Sequence, residues 1–341
     1  MKYKATITDI AKELNITPAT VSRALSNHPG ISIKTKEAVH STASRLNYKK
    51  NSIAASLQSG KTNVIGVMLP SVETSFFGSV LHGIETIANL KGYNVLIYQS
   101  QENMKHEARG IETFLSARVD GILASMAKDT VDFAHYLEVK ARNIPLVFFD
   151  RANDDLGIPS VVIDDFKGAF LATEHLIKQG YNRIAHIGGA THTSIWNARV
   201  KGYTAALAAN NIPFDESLIY VGNISIESGK AAVKYFFENP NPPNAIFAVE
   251  DFTALGAVKE LKDRNIKIPE EVGIIGFANE LFGQHITPAL STIDQQTELM
   301  GMEAIKLLLE LISNKETTKT KQLKIVLEPI PIFRQSSMKN K

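Results

Sequence analysis

Six residues close to the N-terminus carry side chains of the types that read DNA. They are Thr17, Pro18, Ala19, Thr20, Ser22 and Arg23. An arginine can donate two hydrogen bonds to a guanine edge, and Thr or Ser hydroxyls can reach bases or phosphates. Pro18 and Ala19 offer apolar contact, for instance with a thymine methyl group. Taken singly, each residue is more often ordinary helix surface, but the pattern as a whole predicts a DNA-binding surface.

The hydrophobic pattern around these residues predicts three short helices. In the first, apolar residues recur with helical spacing at Ile7, Ile10, Ala11 and Leu14. Thr17-Pro18 is typical of an N-cap followed by proline at the first helical position, and it begins a second helix that buries Val21 and Leu25. A third helix is predicted from Ser32 to Leu46, with Val39 turned inward. Two short helices joined by a three-residue turn indicate a helix-turn-helix, whose second helix lies in the major groove of DNA.

Charge is unevenly distributed along the 341 residues. Residues 1–60 hold nine Lys and Arg against three Asp and Glu, whereas the rest of the chain is mildly acidic. A basic head on an acidic body favours a polyanionic partner, although a solvated basic terminus is an equally ordinary explanation of charge alone. The chain has no cysteine, no apolar run of the roughly 18 residues that a membrane span needs, and no apolar core of a signal peptide near its start. We therefore expect a cytoplasmic protein without disulfides and without membrane association.

From Lys61 onward, short apolar runs alternate with amphipathic helical stretches. Strands are predicted at Val64–Leu69, Asn94–Gln99, Gly121–Ala124, Pro145–Phe149, Ser160–Ile163, Ile184–Ile187, Ala245–Ala248 and Val272–Gly276. Helices are predicted at Phe77–Lys91, Lys105–Ala117, Lys167–Gln179, Arg199–Asn210, Ser228–Glu238 and Thr253–Arg264. Repeated strand-helix units imply parallel sheets with ligand crevices at the carboxyl ends of the strands. The length exceeds what one such sheet usually takes, so we expect an α/β core of two lobes with a cleft.

Residues for catalysis or metal binding form no pattern in this chain. His175, His186 and His192 lack the spacing of metal ligands, and the run from His186 to Ala190 lacks the glycine spacing of a dinucleotide-binding loop. No Ser/His/Asp arrangement or pair of carboxylates stands out as a catalyst. We therefore expect a protein that is not an enzyme and that holds neither a metal nor a cofactor.

The head resembles that of the LacI/GalR family of bacterial repressors. The resemblance is carried by Thr6-Ile7-Thr8-Asp9-Ile10-Ala11, by Thr20-Val21-Ser22-Arg23-Ala24-Leu25, by Asn47-Tyr48 and by residues 51–60. It implies that residues 51–60 fold into a hinge helix on DNA and that Leu57 wedges into the minor groove beside Asn51 and Ala54. An apolar wedge of this kind unstacks a base step and kinks the duplex; the alternative is a linker helix whose leucine packs on the core. The predicted DNA contacts also include Thr6, Asn27 and Thr35.

The body is similar to the same family, and through it to periplasmic sugar-binding proteins. Its landmarks are Ile65-Gly66-Val67, Ser75-Phe76-Phe77, Val119-Asp120-Gly121-Ile122, Phe149-Asp150-Arg151, Ala172-Thr173-Glu174-His175-Leu176, Ile187-Gly188-Gly189 and Ala254-Leu255-Gly256. The resemblance implies three crossings between lobes, near Ile163, Ile293 and Leu323. The expected organisation is a helix-turn-helix at 1–47, a hinge at 48–60, an effector and dimerisation domain at 61–334 and a tail at 335–341. Its first lobe would comprise about 61–162 and 294–322, and its second about 163–293 and 323–334.

The same resemblance implies a set of effector contacts in the cleft. They are Ser75, Phe77, Asp150, Trp196, Asn197, Arg199, Glu250, Asp251 and Asn279. Asp150 can accept two hydrogen bonds from a pair of ligand hydroxyls, and Arg199 would place its guanidinium fork on the ligand. Trp196 is either a stacking face for a sugar ring or a surface aromatic. Two departures from the family pattern, Ala278 in place of a carboxylate and Glu250 in place of asparagine, make the identity of a sugar unsafe to carry over.

These residues together predict a transcriptional regulator, most simply a repressor. A homodimer would bind a pseudo-palindromic operator, and a small molecule in the cleft, a sugar or sugar derivative, would set operator affinity as inducer or corepressor. The alternatives are a solute-binding protein for transport, an enzyme on a doubly wound fold, and a regulator that responds to a protein corepressor. The absence of a heptad repeat after Arg334 favours a dimer without an added tetramerising helix.

Overall fold

The computed structural model describes residues 5–48, 61–189, 194–313 and 323–339. Backbone contacts divide the chain into two units, Met1–Thr62 and Asn63–Lys341. The predicted hinge contacts Asn51, Ala54 and Leu57 lie outside the described residues.

The first unit holds three helices, α1 (Ile7–Leu14), α2 (Pro18–Leu25) and α3 (Ile33–Arg45). They enclose a small apolar core of Ile10, Ala11, Val21, Ala24, Val39 and Ala43, and the predicted inward residues Leu14, Leu25 and Leu46 pack against its edge. Ser32 caps α3 by accepting a hydrogen bond from the backbone of Thr35 at 3.2 Å. The predicted helix-turn-helix is thus present, with its bounds displaced by no more than one residue.

The second unit consists of two doubly wound lobes. The first lobe has a sheet of six parallel strands, β1 (Val64–Leu69), β2 (Asn94–Gln99), β3 (Gly121–Ala124), β4 (Leu146–Phe149), β5 (Ser160–Ile163) and β11 (Lys324–Leu327), in the spatial order β11-β5-β4-β3-β1-β2. Its helices are α4 (Ser75–Leu90), α5 (Met104–Ala117), α6 (Ala134–Ala141) and α11 (Thr297–Ser313). Apolar clusters fill both faces of this sheet, which explains why its central strands are continuously hydrophobic.

The second lobe repeats this architecture on a smaller scale. Its four parallel strands are β6 (Ile184–Gly188), β7 (Ile219–Val221), β8 (Ala245–Ala248) and β9 (Gly273–Ile275), in the order β7-β6-β8-β9. Its helices are α7 (Asp165–Lys178), α8 (Ser194–Ala209), α9 (Ile226–Phe237) and α10 (Asp251–Asp263). Short 3-10 helices occur at Asp154–Leu156, Glu216–Leu218, Leu281–Gln284 and Gln335–Ser337. All eight predicted strands and six predicted helices are confirmed, although α8 begins at Ser194 and not at Arg199.

The chain passes between the lobes beside a small antiparallel ribbon. It leaves the first sheet after Ile163, and it returns through β10 (Thr292–Asp294), which pairs with β12 (Ile330–Ile332). The predicted third crossing near Leu323 is wrong, because Lys324–Leu327 pairs in parallel with β5 in the first sheet. The crossing therefore follows Leu327, and the first lobe extends that far.

Helices pack closely where glycine leaves room for a neighbouring backbone. A Cβ atom added at Gly83 in α4 would overlap the carbonyl oxygen of Glu298, and one at Gly301 in α11 would overlap that of Val80. The two helices therefore approach each other through glycines on both sides, and this contact holds the middle of α4 against α11. Among the described residues, no helix is long and apolar enough to cross a membrane.

Candidate functional site

The start of α2 is organised by its own hydroxyl groups. Thr17 is the N-cap, and its Oγ1 accepts a hydrogen bond from the backbone of Thr20 at 3.2 Å and lies 2.9 Å from the Thr20 hydroxyl. Pro18 occupies the first helical position, where its missing N–H group leaves no helical bond unmade. The cap fixes the direction in which the first turn of α2 presents its side chains.

The predicted recognition residues of α2 face outward. Thr17, Pro18, Ala19 and Arg23 are exposed, and Thr20 and Ser22 are half-buried, whereas Val21 and Ala24 are in the core. In the part of the chain that the structure describes, no group accepts a hydrogen bond from the Arg23 guanidinium. This surface has the polar character and exposure that a helix in a DNA groove requires.

The remaining predicted head contacts lie at helix ends. The Thr6 hydroxyl, just before α1, donates to Asp9 at 2.7 Å, and the Thr35 hydroxyl, in the first turn of α3, lies 2.8 Å from that of the N-cap Ser32. Asn27 follows α2 with a left-handed φ of 55°. The hydroxyls of Thr6 and Thr35 are already engaged by Asp9 and Ser32, and contact of these two residues with DNA stays a prediction.

A cavity of about 530 Å³ lies between the lobes, at the carboxyl ends of the strands. Five of the nine predicted effector residues line it: Phe77, Asp150, Trp196, Arg199 and Glu250. A second cavity of about 560 Å³ adjoins it and shares Lys128, Asp150, Arg151 and Ile195 with the first. The cleft therefore has room for a ligand larger than a single sugar ring.

The other four predicted effector residues do not line this cavity. Asn197 is exposed within α8, because the helix begins five residues earlier than predicted and turns this side chain to the surface. Asp251 is fully buried and accepts hydrogen bonds from the Thr292 hydroxyl and from the backbone of Glu280, each at 2.8 Å.

Asn279 and Ser75 have other partners. The Asn279 side-chain amide donates to Asp294 at 3.0 Å, and its oxygen accepts from Arg334 at 2.8 Å, so it braces the second lobe. The Ser75 hydroxyl donates to the carboxylate of Glu280 and so joins α4 of the first lobe to the second lobe. Protein groups therefore occupy hydrogen-bonding atoms of both side chains, and direct contact of Ser75 and Asn279 with a ligand stays a prediction.

Arg199 is enclosed by protein on several sides. It is 3% exposed; its Nε donates to Asp165 at 2.8 Å, its Nη1 to the Val249 carbonyl at 2.6 Å and its Nη2 to Gln295 at 3.3 Å. The guanidinium carbon also lies 3.6 Å from the centre of the Phe277 ring. Burial raises the pKa of Asp165 and the charge of Arg199 opposes that rise. Arg199 therefore serves as the counter-ion of Asp165. Protein groups already accept hydrogen bonds from the guanidinium nitrogens that were predicted to bind a ligand.

Asp150 stands at the boundary of the two cavities. It follows β4 with a left-handed φ of 59°, and its carboxylate accepts a hydrogen bond from the Ser125 hydroxyl at 3.2 Å. Burial raises the pKa of Asp150 to about 6, and the guanidinium of Arg151, 3.9 Å away, opposes this rise. Asp150 is thus an ionisable hydrogen-bonding group in a position that a ligand in either cavity can reach.

Carboxyl groups also converge on the wall of the second lobe. Glu250 caps α10 by accepting a hydrogen bond from the backbone of Phe252 at 2.8 Å. Burial raises the pKa of Glu250 to about 8, with the Asp251 carboxylate as the next cause, and burial raises that of Asp251 to about 7. Glu280, which is 4% exposed, also lines the cavity. This wall is therefore poor in positive charge.

Sequence reasoning missed several lining residues. Arg151 donates to Glu102 at 2.6 Å, and both line the cavity together with Phe76, Phe252 and Glu280. Arg151 directly follows Asp150, and Glu280 lies two residues after Ala278. Their positions just past strand ends could therefore have indicated that they line the cleft. Which of several residues in such a loop faces the cleft depends on the loop conformation, however.

Comparison with known proteins identifies both units. Residues 62–335 match the model of the periplasmic binding proteins and sugar binding domain of the LacI family, and residues 6–51 match that of the bacterial regulatory proteins of the lacI family. The chain belongs to the LacI family. It is a DNA-binding transcriptional regulator with a helix-turn-helix head and a periplasmic-binding-protein-like core.

Other members of the LacI family match nearly the whole chain. Catabolite control protein A of Priestia megaterium is 34% identical over 97% of this chain and 99% of its own length. The probable HTH-type transcriptional repressor ExuR of Bacillus subtilis (strain 168) is 33% identical over 93% of this chain and 95% of its own. A structure of the transcriptional regulator CelR in complex with cellobiose has a TM-score of 0.73 and 25% identity, covering 98% of this chain and 100% of the other. These relatives are transcriptional regulators and not enzymes.

Two of the three histidines considered as metal ligands, His175 and His186, have structural partners in this LacI-family chain. His175 stacks on Phe333 with ring centres 3.6 Å apart, and its Nε2 lies 2.7 Å from the Ser337 hydroxyl. His186 is fully buried between Tyr203 and Phe247. His192 lies outside the described residues. His175 and His186 therefore serve the packing of the second lobe.

Proposed function

We propose that the chain is a repressor that binds operator DNA as a homodimer and that a carbohydrate-type effector in the interlobe cleft sets its operator affinity. The observation that carries the proposal is the cavity between the lobes, lined by aromatic rings and hydrogen-bonding side chains from both. Trp196, Phe77 and Phe252 offer flat apolar faces to a sugar ring, while Asp150 and Glu250 offer acceptors to its hydroxyls. The relative ExuR is named a repressor and CelR was solved with cellobiose, which supports both parts of the proposal.

We expect a homodimer because each head carries a single recognition helix. One helix-turn-helix with a single recognition helix reads one half-site, and two copies related by a two-fold axis read both halves of a pseudo-palindrome. A ligand that binds one arrangement of the lobes more tightly than another shifts the population of that arrangement. A coupling of about 1–3 kcal/mol between cleft and operator would change affinity by roughly 5- to 150-fold.

The lobes are already joined by a contact that such a ligand would affect. The Ser75 hydroxyl of α4 donates to Glu280 of the second lobe, and the Glu280 carboxylate also faces the cavity. A ligand group that engages Glu280 competes with or reinforces this link. Glu280 therefore belongs both to the contact between the lobes and to the proposed ligand site. A group common to both allows ligand binding to affect the arrangement of the lobes.

Selection of operator sequences from a random duplex library, followed by fluorescence anisotropy at several salt concentrations, tests the DNA-binding part. A regulator that neutralises several phosphates should show a steep loss of affinity with salt. Arg23→Ala should weaken binding to the selected sequence by about 1–3 kcal/mol and relax its specificity. Arg142→Ala, at an exposed arginine directly after α6, is the matched control and should bind normally. If Arg23→Ala binds the selected sequence as tightly as the parent chain, α2 is not the recognition helix.

A metabolite screen read by the fluorescence of Trp196 tests the cleft. Trp196 is the only tryptophan of the chain, it is 8% exposed and it lines the cavity. A bound sugar should change its emission and raise the melting temperature, because a ligand that binds only the folded state stabilises it. Failure of every carbohydrate in a broad panel to do either would contradict the proposed effector class.

A further inference from the structure

The charges that line the interlobe cavity do not balance. Six carboxyl side chains line it, Glu73, Glu102, Asp150, Glu227, Glu250 and Glu280, against three basic ones, Lys128, Arg151 and Arg199. Two of the three bases are held by carboxylates of their own lobe, Arg151 by Glu102 at 2.6 Å and Arg199 by Asp165 at 2.7 Å. The cavity therefore has an excess of negative groups.

The excess is concentrated on the wall formed by the second lobe. Glu250 and Glu280 both face the cavity, and among the described residues neither forms an ion pair. Their described hydrogen-bond donors are neutral, the backbone of Phe252 for Glu250 and the hydroxyl of Ser75 for Glu280. Glu280 is 4% exposed and lines the cavity, so its side chain is largely removed from bulk water. A buried carboxylate without a counter-ion is unfavourable, so the group either takes up a proton or is stabilised by a cationic ligand.

Aromatic rings form the neighbouring surface of the same cavity. Phe76, Phe77, Trp196 and Phe252 line it, and Phe76 and Phe77 pack edge to face with ring centres 4.9 Å apart. The face of an aromatic ring attracts a cation, and aromatic cages combined with carboxylates recognise ammonium groups. This observation is independent of the carboxylates and indicates the same ligand chemistry.

We propose that the effector carries an ammonium group that binds beside Glu250 and Glu280, with its polyhydroxyl part held by Asp150 and the aromatic rings. The chemical class is an amino sugar or a similar polyhydroxylated amine. This inference rests on the proposed function, because it specifies the effector of the same cleft. An ammonium group would give these carboxyl groups a counter-ion, which a neutral sugar would not supply.

The surroundings of Glu250 predict that this side chain releases a proton when an amine binds. Asp251 on the same helix and Glu280 after β9 act on Glu250, Glu227 of α9 lines the same cavity, and Arg199 of α8 is already engaged by Asp165. Burial, and after it the carboxylates of Asp251 and Glu280, raise the pKa of Glu250 to about 8, so without an amine ligand the group is largely protonated at pH 7. An ammonium group favours the ionised form and lowers that pKa. Amine binding at pH 7 should therefore release a proton and strengthen as pH rises towards 8.

Isothermal titration calorimetry on the full chain tests the proposal with three matched pairs of probes. Glucosamine, galactosamine and mannosamine are each compared with glucose, galactose and mannose at pH 7, in two buffers of different ionisation enthalpy. At least one amine should bind about tenfold or more tightly than its hydroxyl counterpart, as expected for a charge-assisted hydrogen bond. Its apparent enthalpy should differ between the buffers, which reports the released proton.

Glu250→Gln keeps the size of the side chain and an oxygen for the helix cap, and it should abolish both the preference and the proton release. Glu280→Gln is the second variant, which keeps the test valid if the first does not fold. Glu238→Gln, at an exposed glutamate after α9, is the matched control and should retain both.

Two results would overturn the proposal. One is the absence of amine preference in all three pairs, whether or not the neutral sugars bind. The other is a preference for the amine that survives in both Glu250→Gln and Glu280→Gln.

Measurements of operator binding distinguish a failure of this proposal from a failure of the proposed function. If a neutral sugar alters operator affinity while no amine is preferred, the cleft is an effector site of different specificity. If amines bind without altering operator affinity, the effector role itself is contradicted.

Discussion

Removing the charge of Arg199 should destabilise the second lobe as well as alter the cleft. Arg199→Met keeps a comparable volume, but it leaves the carboxylate of Asp165, which is 8% exposed, without its partner at 2.7 Å. Breaking one side of a buried ion pair typically costs about 3–5 kcal/mol. The Val249 carbonyl and Gln295 also lose a donor. At about 2–4 °C for each kcal/mol in a domain of this size, the melting temperature should fall by roughly 6–20 °C.

A double-mutant cycle isolates the ion pair from the loss of packing. Thermal unfolding of Arg199→Met, Asp165→Asn and the double variant should show the double variant more stable than the sum of the two single effects predicts, by at least about 1 kcal/mol. The exposed pair of Arg142 and Glu138 is the control, and its cycle should give less than about 1 kcal/mol because solvent screens it.

The pH dependence provides a further check. The folded-state pKa of Asp165 is already raised, and loss of Arg199 should raise it more. A carboxyl group whose pKa is raised on folding stabilises the folded state below its unfolded pKa of about 4. This stabilisation is lost as pH rises through the folded-state pKa. The cost of Arg199→Met should therefore be larger at pH 8 than at pH 5. A cost below about 1 kcal/mol, or one that does not depend on pH, would refute the assignment of Arg199 as a buried counter-ion.

Three further predictions concern stability. The pKa of Glu250 rises from 4.5 to about 8 on folding, so its contribution to the stability of the folded state is lost as pH rises through that range. Glu250→Gln should therefore have a higher melting temperature than the parent at pH 9 but not at pH 5. Gly83→Ala should cost about 1–3 kcal/mol in urea unfolding because its Cβ meets the backbone of Glu298, whereas Gly78→Ala in the same helix, with open space around it, should be neutral or stabilising. Ala278 has a φ of 124°, so Ala278→Gly should gain about 1 kcal/mol; a loss would show that this backbone is unstrained.

Local patterns made most of the fold predictable. The Thr17-Pro18 cap and the spacing of Ile10, Val21 and Val39 specify the head, because three short helices need only local signals and one small core. The central strands are buried on both faces and are therefore continuously apolar. By contrast, β10 and β12 have three residues each, too few for a periodic pattern, and their pairing joins distant parts of the chain.

The cleft was predictable in position but only partly in residues. Phe77, Asp150 and Glu250 follow strand ends and line the cavity, as parallel α/β sheets require. Asn279 also follows a strand but turns away, because Arg334 and Asp294 bind its amide. The direction of a loop side chain is set by partners far away in sequence, and sequence alone does not give these partners. The effector residues remain predictions until a ligand is bound.

The most direct test of effector control is a reciprocal linkage measurement. Operator affinity is measured by anisotropy with and without saturating ligand, and ligand affinity is measured by Trp196 fluorescence with and without saturating operator. If a ligand in the cleft sets operator affinity, both ratios should be equal and should lie between roughly 5- and 150-fold. A ligand that binds the cleft while leaving operator affinity unchanged would contradict the proposed control.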